Sequence, residues 1–419
     1  MAVAEVVKPE PSSRTEPEQA PPASLKHWVP IALFTVFTAL NMLDRQLLAA
    51  AGPAIRREFG LTNQQFGWLG SAFSAATTIA APVAGLLFDR VGLAIGAAGS
   101  LLFWSIAGMA TGFTQSFRAL MTARFGLALG ESGAAAAPGI VVSSYLGAAQ
   151  WGVGAAFLAV GTSLGSIAAP LVTAEMAPRY GWRATFLICG AAGLLWIPVW
   201  LKTASRIPPR SRVASRKLVS IPGLFADRRF LAIIAAYALA RQTLWVTWTT
   251  LYFVDARHMA MAEANRQFAW MPSVFGASGA FVAGALAMRW IRQGIPGLQA
   301  RLRSCWLFSP LVLCSALVPF VDSASFAAVL IGVSFFGSVC VWSSTHLMPI
   351  DVYGVDRSAF TYAVLEGSFT GLQVIATPAI GALIDTYGYT LTCMVVPLMP
   401  MLGVAIATFG LTPSTAKAV

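Results

Sequence analysis

Long apolar stretches separated by short polar ones run along the chain from Trp28 to about residue 411. A helix needs about 20 apolar residues to cross a bilayer. Twelve stretches reach that length, and neighbouring helices satisfy the backbone groups that glycine and proline leave free within them. The pattern predicts an all-α integral membrane protein with twelve transmembrane helices. The predicted spans are 28–50, 64–88, 93–113, 117–140, 151–173, 183–201, 229–254, 266–290, 302–321, 325–348, 358–384 and 389–411.

The longest predicted loop is a basic, proline-containing stretch at 202–227, which divides the spans six and six. We therefore predict two six-helix bundles, at 28–201 and 228–411, joined by this cytoplasmic linker. Residues 1–27 are mostly polar and rich in proline, which predicts a disordered cytoplasmic tail. A second cytoplasmic tail is predicted at 412–419.

The second and eleventh predicted spans, which run in opposite directions, share one spacing of proline, glycine and aspartate. Inverted similarity of this kind is typical of transporters built from structural repeats. Two further motifs, Gly161-x-x-x-Gly165 and Gly367-x-x-x-Gly371, predict close packing against another helix backbone, or a gating hinge. The shared spacing pairs Pro82-x-x-Gly85-x-x-x-Asp89-x-x-Gly92 with Pro378-x-x-Gly381-x-x-x-Asp385-x-x-Gly388.

Composition supports the membrane assignment, because 57% of the residues are hydrophobic and only 11% are charged. Soluble domains carry about 25% charged residues. The formal net charge of +11 does not indicate a nucleic-acid partner, because the basic residues lie mainly in loops on one side of the predicted membrane. That bias orients both termini toward the cytoplasm.

Charged residues inside the first and fourth spans are the candidate chemistry. Each costs roughly 3 kcal/mol to insert and is retained where it is paired, faces a wet cavity or functions. Asn41, Asp44 and Arg45 lie near the far end of the first span. Arg124 and Glu131 are two helical turns apart on one face of the fourth span, about 10 Å along the axis. The depths predict an Asp44–Arg124 pair, with Glu131 nearer the middle of the bilayer.

Two carboxylates and two arginines leave this cluster neutral until a proton arrives. If Glu131 takes the proton, as burial favours, the cluster becomes positive and Arg45 offers a planar fork that fits a carboxylate. Proton and anion then bind more tightly together than apart. The cluster predicts proton-coupled anion symport. The alternative is that the four charges only lock two helices together.

The C-terminal half adds Arg241 and Glu366, which either pair with each other or leave Arg241 as a second anion contact. His346 is either an interfacial polar residue or a proton carrier, and Trp245 and Trp248 belong to the core or to a cavity wall. Ser344 and Thr345 are further candidates for a cavity lining. The candidate substrate contacts are Asn41, Arg45, Thr77, Arg241, Trp342, Ser343 and Gln373, and the candidate proton-coupling residues are Asp44, Arg124, Glu131 and Glu366.

Seven short motifs follow one another in order along the membrane region. They are Asn41-x-x-Asp44-Arg45, Glu58-Phe59-Gly60-Leu61-Thr62, Gly67-x-x-x-Ser71-Ala72-Phe73, Gly85…Asp89-Arg90-Val91-Gly92, Arg124-Phe125…Gly130-Glu131, Gly181-Trp182-Arg183 and Asp255-Ala256-Arg257. In this order they resemble the anion:cation symporter family of the major facilitator superfamily, with hexuronate and galactonate transporters most similar.

The resemblance implies that Arg45 contacts a substrate carboxylate and that Glu131, with Asp44, couples transport to protons. We further expect a monomer in the bacterial inner membrane, in contact with lipid and without a cofactor or bound metal. Met42 and Thr77 stand where the family often has tyrosine. Both replacements remove a tyrosine hydroxyl group that could bind a hydroxyl group of the substrate. Such hydrogen bonds contribute strongly to discrimination between similar sugar acids, so we expect a substrate with fewer hydroxyl groups.

The expected function is symport of a small organic anion, a sugar acid or other carboxylate, with H⁺ by alternating access. The alternatives are an antiporter for drugs or amphipathic compounds, which predicts a large apolar cavity, and an anion transporter coupled to Na⁺. An enzyme is not expected, because the sequence has no phosphate-binding glycine loop, metal-ligand cluster or nucleophile elbow.

Overall fold

The structure, a computed structural model, describes residues 24–209, 224–241, 244–354 and 358–411. Within these ranges the chain is helical apart from short connections, and no strand occurs. The predicted tails and most of the predicted linker lie outside the described residues.

The helices carry the labels α1 to α16 in chain order. They are α1 (Trp28–Ala50), α2 (Gly52–Phe59), α3 (Asn63–Gly112), α4 (Phe117–Glu131), α5 (Gly133–Tyr145), α6 (Trp151–Leu194), α7 (Trp196–Arg206), α8 (Arg228–Ala240), α9 (Leu244–Thr247), α10 (Thr249–Asp255), α11 (Met261–Gln267), α12 (Met271–Arg292), α13 (Gly297–Phe308), α14 (Ala324–Tyr353), α15 (Ser358–Val395) and α16 (Leu398–Leu411). The 3₁₀-helices are Leu25–His27, Ala148–Gln150, Leu224–Ala226 and Ser309–Phe320.

Three long helices each contain two spans joined at a glycine. The 50 residues of α3 would extend roughly 75 Å if straight, more than twice the hydrocarbon thickness of a bilayer. The backbone breaks at Gly92 in α3, Gly181 in α6 and Gly388 in α15, with φ values of 78°, 81° and 72°. Glycine adopts positive φ without a steric penalty, which explains why the repeated motif ends in glycine.

The remaining spans are single helices or short runs of consecutive helices. The fourth is α4 with α5, and the seventh is α8, α9 and α10. The ninth continues from α13 into a 3₁₀-helix. Within the part of the chain that the structure describes, eight continuous stretches are individually long and apolar enough to cross a membrane. With the spans joined at the glycines and the shorter pieces, the all-α arrangement of two six-helix bundles is confirmed.

The two halves, 28–206 and 224–411, are joined at one end and separate at the other. We call the face where α1 begins and α16 ends the terminal face, and the opposite one the distal face. One apolar cluster, which includes Leu47, Phe66, Trp248 and Ile380, joins both halves toward the distal face. Toward the terminal face each half has its own cluster, around Phe34, Trp104 and Trp200 in one and Ile233, Leu365 and Val404 in the other.

Polar contacts between the halves follow the same division. Among the described residues they reach from the distal face to about the middle of the second and eleventh spans. Asp385 accepts hydrogen bonds at the start of α3 from the backbone N–H groups of Asn63, 2.9 Å, and Gln64, 2.8 Å. The other joining contacts are Arg56–Asp255 (2.5 Å), Arg266–Glu175 (2.6 Å), Asn265–Ala50 (2.9 Å), Thr78–Thr370 (2.8 Å) and the hydrogen bond from Ser71 to Val374 O.

Two of the sequence motifs meet at the distal end of the N-terminal half. Glu58, just after the first span, accepts hydrogen bonds from Trp182 Nε1 at 2.7 Å and from Arg183 Nη1 at 2.5 Å. Although burial acts to raise the pKa of Glu58, these hydrogen bonds and the Arg183 charge hold it below its ordinary value. The carboxylate therefore stays charged, and the contact joins the first span to the sixth.

The two glycine motifs have different surroundings. A Cβ on Gly165 would overlap the backbone oxygen of Ala39 in α1, and one on Gly161 would overlap the backbone oxygen of Thr35 in the same helix. These glycines allow two backbones to touch, as predicted. Gly367 and Gly371 have no atom within 4 Å of such a Cβ. The packing prediction is wrong there, because the terminal ends of the halves stand apart.

Gly165→Ala should therefore destabilise the protein while Gly371→Ala should not. The methyl group on Gly165 meets backbone that cannot move aside without separating α1 from α6, and overpacking of this kind costs about 1–3 kcal/mol. Thermal unfolding of the purified variants in one detergent measures the difference. Equal melting temperatures for the two variants would contradict the predicted contact between these helices.

Candidate functional site

A cavity of about 460 Å³ lies between the two halves. Its wall extends from the middle of the spans, at Trp342 and Glu366, toward the distal face, where Ala50 at the end of α1 and Ala269 just before α12 line it. Helices of both halves contribute to its wall, so a bound molecule would touch both bundles. The lining includes Met42 and Gln46 from α1, Ser163 from α6, Arg241 after α8, Trp342 from α14 and Glu366 from α15.

The N-terminal half contributes an ion pair between its first and fourth spans. Arg45 donates to Glu131 Oε2 from Nε at 3.2 Å and from Nη2 at 3.1 Å. The side chain of Glu131 is 1% exposed and that of Arg45 is 37% exposed. The carboxylate is thus sealed in the helix bundle while the guanidinium reaches open space. An external anion could approach Arg45 without entering the core.

Phe73 on α3 supports both arginines and was not among the predicted site residues. The Arg45 guanidinium carbon lies 4.7 Å from its ring centroid, and that of Arg124 lies 5.2 Å away. An aromatic face attracts cations, most strongly where water is excluded. The only sequence signal was the position of Phe73 at the end of a motif.

Asp44 and Arg124 are buried, 4% and 2% exposed, and no ion pair joins them. The predicted pairing is therefore wrong: Arg45, on the adjoining face of α1, takes Glu131 instead. Asp44 acts on Arg124 and Glu131 only through its charge. Residues adjacent on a helix point about 100° apart, so only one of these two side chains can reach the fourth span directly.

Several polar atoms of this cluster have no hydrogen-bond partner despite full burial. A buried donor or acceptor left unpaired costs about 1–3 kcal/mol, and unpaired groups in native structures commonly mark a functional site. Trp104, beside Asp44, was not predicted to belong to the cluster. The atoms are Asn41 Nδ2, Asp44 Oδ2, Trp104 Nε1, Arg124 Nε, Arg124 Nη1 and Glu131 Oε1.

The C-terminal half places Arg241 at a break in the seventh span. α8 ends at Ala240, and Arg241 has an extended backbone, with φ −96° and ψ 101°. Its guanidinium carbon lies 5.1 Å from the Trp342 ring and 5.5 Å from the Phe369 ring. Its charge also interacts with that of Arg45, so the two arginines approach each other from opposite halves.

Glu366 shares the cavity with Arg241 but forms no ion pair with it. Its Oε1 accepts a hydrogen bond from the hydroxyl group of Tyr237 on α8. Tyr237 is fully buried and was not among the predicted site residues, because one tyrosine in an apolar span carries no distinguishing pattern. Of the two sequence alternatives for Arg241, the geometry leaves it available to an anion.

Of the predicted substrate contacts, only Arg241 and Trp342 line the cavity, whereas Arg45, Asn41, Thr77, Ser343 and Gln373 do not. Thr77 and Ser343 are half-buried and donate to backbone oxygens of their own helices, Phe73 at 3.0 Å and Cys340 at 3.1 Å. Gln373 is buried and receives a hydrogen bond from Thr377 at 3.3 Å. Trp245 lies at the cavity wall. The remaining candidates lie in the interior: Asn41, Trp248, Ser344 and Thr345 are buried.

The chain matches the family model of the Major Facilitator Superfamily over residues 34–365. It is 26% identical over 402 residues to the hexuronate transporter of Escherichia coli K12, covering 90% of this chain and 92% of the relative. It is 27% identical over 380 residues to a probable sulfoacetate transporter of Cupriavidus necator, covering 84% and 86%. A probable galactarate/D-glucarate transporter of Bacillus subtilis 168 is 25% identical over 407 residues, 86% of each chain.

Solved structures show the same fold. A bacterial homologue of the human lysosomal transporter Spinster, in an inward-facing and unoccupied conformation, superposes with a TM-score of 0.77 at 16% identity. The superposition covers 93% of this chain and 97% of the homologue.

Proposed function

The chain belongs to the major facilitator superfamily and is a transporter rather than an enzyme; on that premise we propose that it carries a small organic anion together with protons. The substrate class is a sugar acid or a related carboxylate. The names of the relatives support this class, because they include transporters of hexuronate and of galactarate and D-glucarate. The substrate site is the cavity between the halves.

The Arg45–Glu131 pair is the observation that carries the proposal. While Glu131 is ionised, it binds the Arg45 guanidinium that would otherwise bind the substrate. Protonation of Glu131 weakens this ion pair and leaves the cluster of Asp44, Arg45, Arg124 and Glu131 with one positive charge. An anion restores neutrality, so each ligand strengthens the binding of the other. This coupling is what a symporter requires.

Arg241 provides the second anion contact. It approaches the cavity from the half opposite Arg45, so a substrate with acidic or hydroxyl groups at both ends can bridge the bundles. Met42 lies in the wall, but so do hydroxyl side chains from both halves, including Ser163 and Thr249. The lining therefore offers partners to the hydroxyl groups of a sugar acid. A drug antiporter is less well supported, because charged and hydroxyl side chains interrupt the apolar wall.

We assign the terminal face to the cytoplasm of a bacterial inner membrane. The assignment rests on the basic residues, most of which follow or precede spans at that face. The separated ends of the halves then face the cytoplasm, and we infer from them that the structure corresponds to an inward-facing state.

Alternating access is supported by the spacing of proline, glycine and aspartate that the second and eleventh spans share in opposite directions. In this structure Asp385 engages the start of α3 at the distal face, and a Cβ on Gly381 would meet Asn63 O at 2.3 Å. The corresponding residues on the second span behave oppositely: Asp89 is exposed, and Gly85 has no neighbour within 4 Å of a Cβ. We infer that Asp89 and Gly85 engage the start of α15 when the terminal ends close.

Asp385→Ala should shift the protein toward the outward-facing state. Removing a carboxylate that holds three N–H donors costs this state about 1–2 kcal/mol, a factor of roughly 5–30 in the equilibrium. Spin labels at Ser205→Cys and Arg292→Cys measure the opening between the terminal ends of the halves. Asp89→Ala is the matched control and should leave the wide separation in place. A wide separation in both variants would contradict the role of Asp385.

Flux into liposomes tests the proposed function as a whole. Purified protein is reconstituted, and uptake of D-galacturonate, galactarate and sulfoacetate is measured under an inward proton gradient, with and without a protonophore. We expect at least one acid to accumulate in a protonophore-sensitive manner. Accumulation driven by a Na⁺ gradient alone would show that the coupling ion is Na⁺ and not the proton. Proton-driven extrusion of an amphipathic dye, without uptake of any acid, would show that the protein is an antiporter and would contradict the proposed symport.

A further inference from the structure

A hydrogen-bonded chain of three side chains connects Glu366 with His346 in the C-terminal half. Tyr237 O–H donates to Glu366 Oε1, and the same phenolic oxygen lies 3.3 Å from His346 Nδ1. Three different helices supply the members: α15, α8 and α14. Glu366 lies at the cavity wall, Tyr237 is fully buried and His346 is half-buried. The cavity is thus linked, through a sealed tyrosine, to a partly exposed histidine.

Aromatic packing holds this chain in place. The His346 ring stacks on Tyr362, with centroids 4.5 Å apart and an interplanar angle of 6°. Tyr237 is packed edge-on against Phe369, with centroids 6.4 Å apart. Since Tyr362 precedes Glu366 by one helical turn on a helix that begins at the terminal face, the stack sets His346 nearer that face. Because the packed rings hold the donor and acceptor atoms in a fixed geometry, proton transfer between them is favoured.

We propose that Glu366, Tyr237 and His346 form a proton relay that connects the substrate cavity with the terminal face. The proposal rests on the proposed function, in which protons accompany the anion. A substrate that fills the cavity covers Glu366 on that side. The relay gives its proton a route that does not cross the substrate. Chains of carboxylate, tyrosine and histidine inside a membrane commonly carry protons.

The transfer balances with only O–H and N–H bonds exchanged. Protonated Glu366 gives its proton to the Tyr237 oxygen while Tyr237 gives its own proton to His346 Nδ1. His346 releases the proton from Nε2 to solvent, so one proton leaves Glu366 and one emerges at the histidine. When Glu366 is ionised, Tyr237 donates to it, which is the arrangement after release. Reversing these transfers loads the carboxylate.

The charges around the relay fit this role. Arg241 interacts electrostatically with Glu366 and Tyr237, so neutralising Glu366 frees a positive charge at the cavity wall. In the C-terminal half, as in the N-terminal half, protonation of a glutamate would thus leave a nearby arginine available to an anion. At the other end, the ion pair between Arg301 and Asp351, 2.5 Å, acts on Tyr362 beside the histidine. The remaining aromatic neighbour of His346 is Trp342, with centroids 5.7 Å apart.

Time-resolved infrared spectroscopy after a laser-induced proton release tests the relay in purified protein without substrate. The band of the protonated carboxyl group is assigned to Glu366 by its loss in Glu366→Gln. We expect Tyr237→Phe to slow the rise of this band roughly tenfold or more, because a positioned proton donor commonly accelerates transfer by 10²–10⁴. The final amplitude should be retained, since the carboxyl group is still present.

Two further variants make the result decisive. His346→Phe keeps a ring for the stack on Tyr362 but removes both nitrogen atoms, and should slow the rise as Tyr237→Phe does. Tyr362→Phe keeps the stack and every member of the relay, so its rate should equal that of the wild type. An unchanged rate in Tyr237→Phe and His346→Phe, or the absence of a Glu366 band, would overturn the relay. The liposome experiment is independent, because it measures flux and not the route of the proton.

Discussion

Arg45→Gln is expected to reduce uptake of the transported acid by about two orders of magnitude. The Arg45 guanidinium is the exposed member of the N-terminal ion pair, 37% exposed against 1% for Glu131, and we propose that it contacts the substrate carboxylate. Losing one partner of such a charge pair costs about 2–5 kcal/mol. Glutamine keeps the length but loses the charge and the planar fork. Arg45→Lys keeps the charge without the fork and should fall between the two. Initial rates of uptake into proteoliposomes measure the effect.

Two comparisons separate loss of binding from loss of folding. Arg179→Gln, at a side chain that is 68% exposed, is the matched control and should transport normally. In the single variant Arg45→Gln, buried Glu131 keeps an unpaired charge, which destabilises the fold. The double variant with Glu131→Gln removes that charge and should still fail to bind substrate. Uptake near the wild-type rate in the double variant would remove Arg45 from the site.

Glu131→Gln is expected to abolish accumulation against a gradient while preserving exchange of substrate across the membrane. The amide resembles the protonated carboxyl group permanently, so Arg45 stays available to the anion but no proton is carried. In the wild type, substrate affinity should fall as the pH rises, because Glu131 loses its proton and forms the ion pair with Arg45 again. In Glu131→Gln this dependence should flatten. Counterflow and gradient-driven uptake, measured in one preparation at several pH values, distinguish these results.

Glu263→Gln, at an exposed carboxylate of α11 that accepts a hydrogen bond from Gln267 of the same helix, provides the control for removing a carboxylate, and should accumulate substrate as the wild type does. If Glu131→Gln still accumulates substrate, coupling lies elsewhere, and Glu366 becomes the candidate. If exchange disappears with accumulation, Glu131 serves mainly to position Arg45. Each outcome assigns a different role to the same carboxylate.

The membrane fold follows from local features of the sequence. Apolar runs of about 20 residues form helices in a bilayer because their backbone groups must be satisfied within the segment. The turns at Gly92 and Gly388 were visible as repeated motifs because positive φ favours glycine wherever the chain must reverse. The set of charges inside the spans was equally apparent, since a charge in an apolar run stands out regardless of the fold.

Partner choice was not visible in the same way. The sequence placed Asp44, Arg124 and Glu131 at compatible depths, but depth does not determine which side chain faces which. Rotation of α1 against the fourth span decides that Arg45, and not Asp44, makes the ion pair. Phe73 contributes through the position of α3, and Tyr237 through a contact between helices far apart in sequence. Neither residue differs by type from many others in the spans.

By itself the sequence determined the twelve helices, the two-bundle arrangement and the presence of charged groups inside the spans, because these depend on periodicity and on the chemistry of single residues. Only the tertiary structure decided how Arg45 is paired, that Arg241 is free of Glu366, and which end of the bundles is closed. Those features depend on the rotation and tilt of helices against one another. Packing between distant segments sets that rotation and tilt, and no local pattern records them.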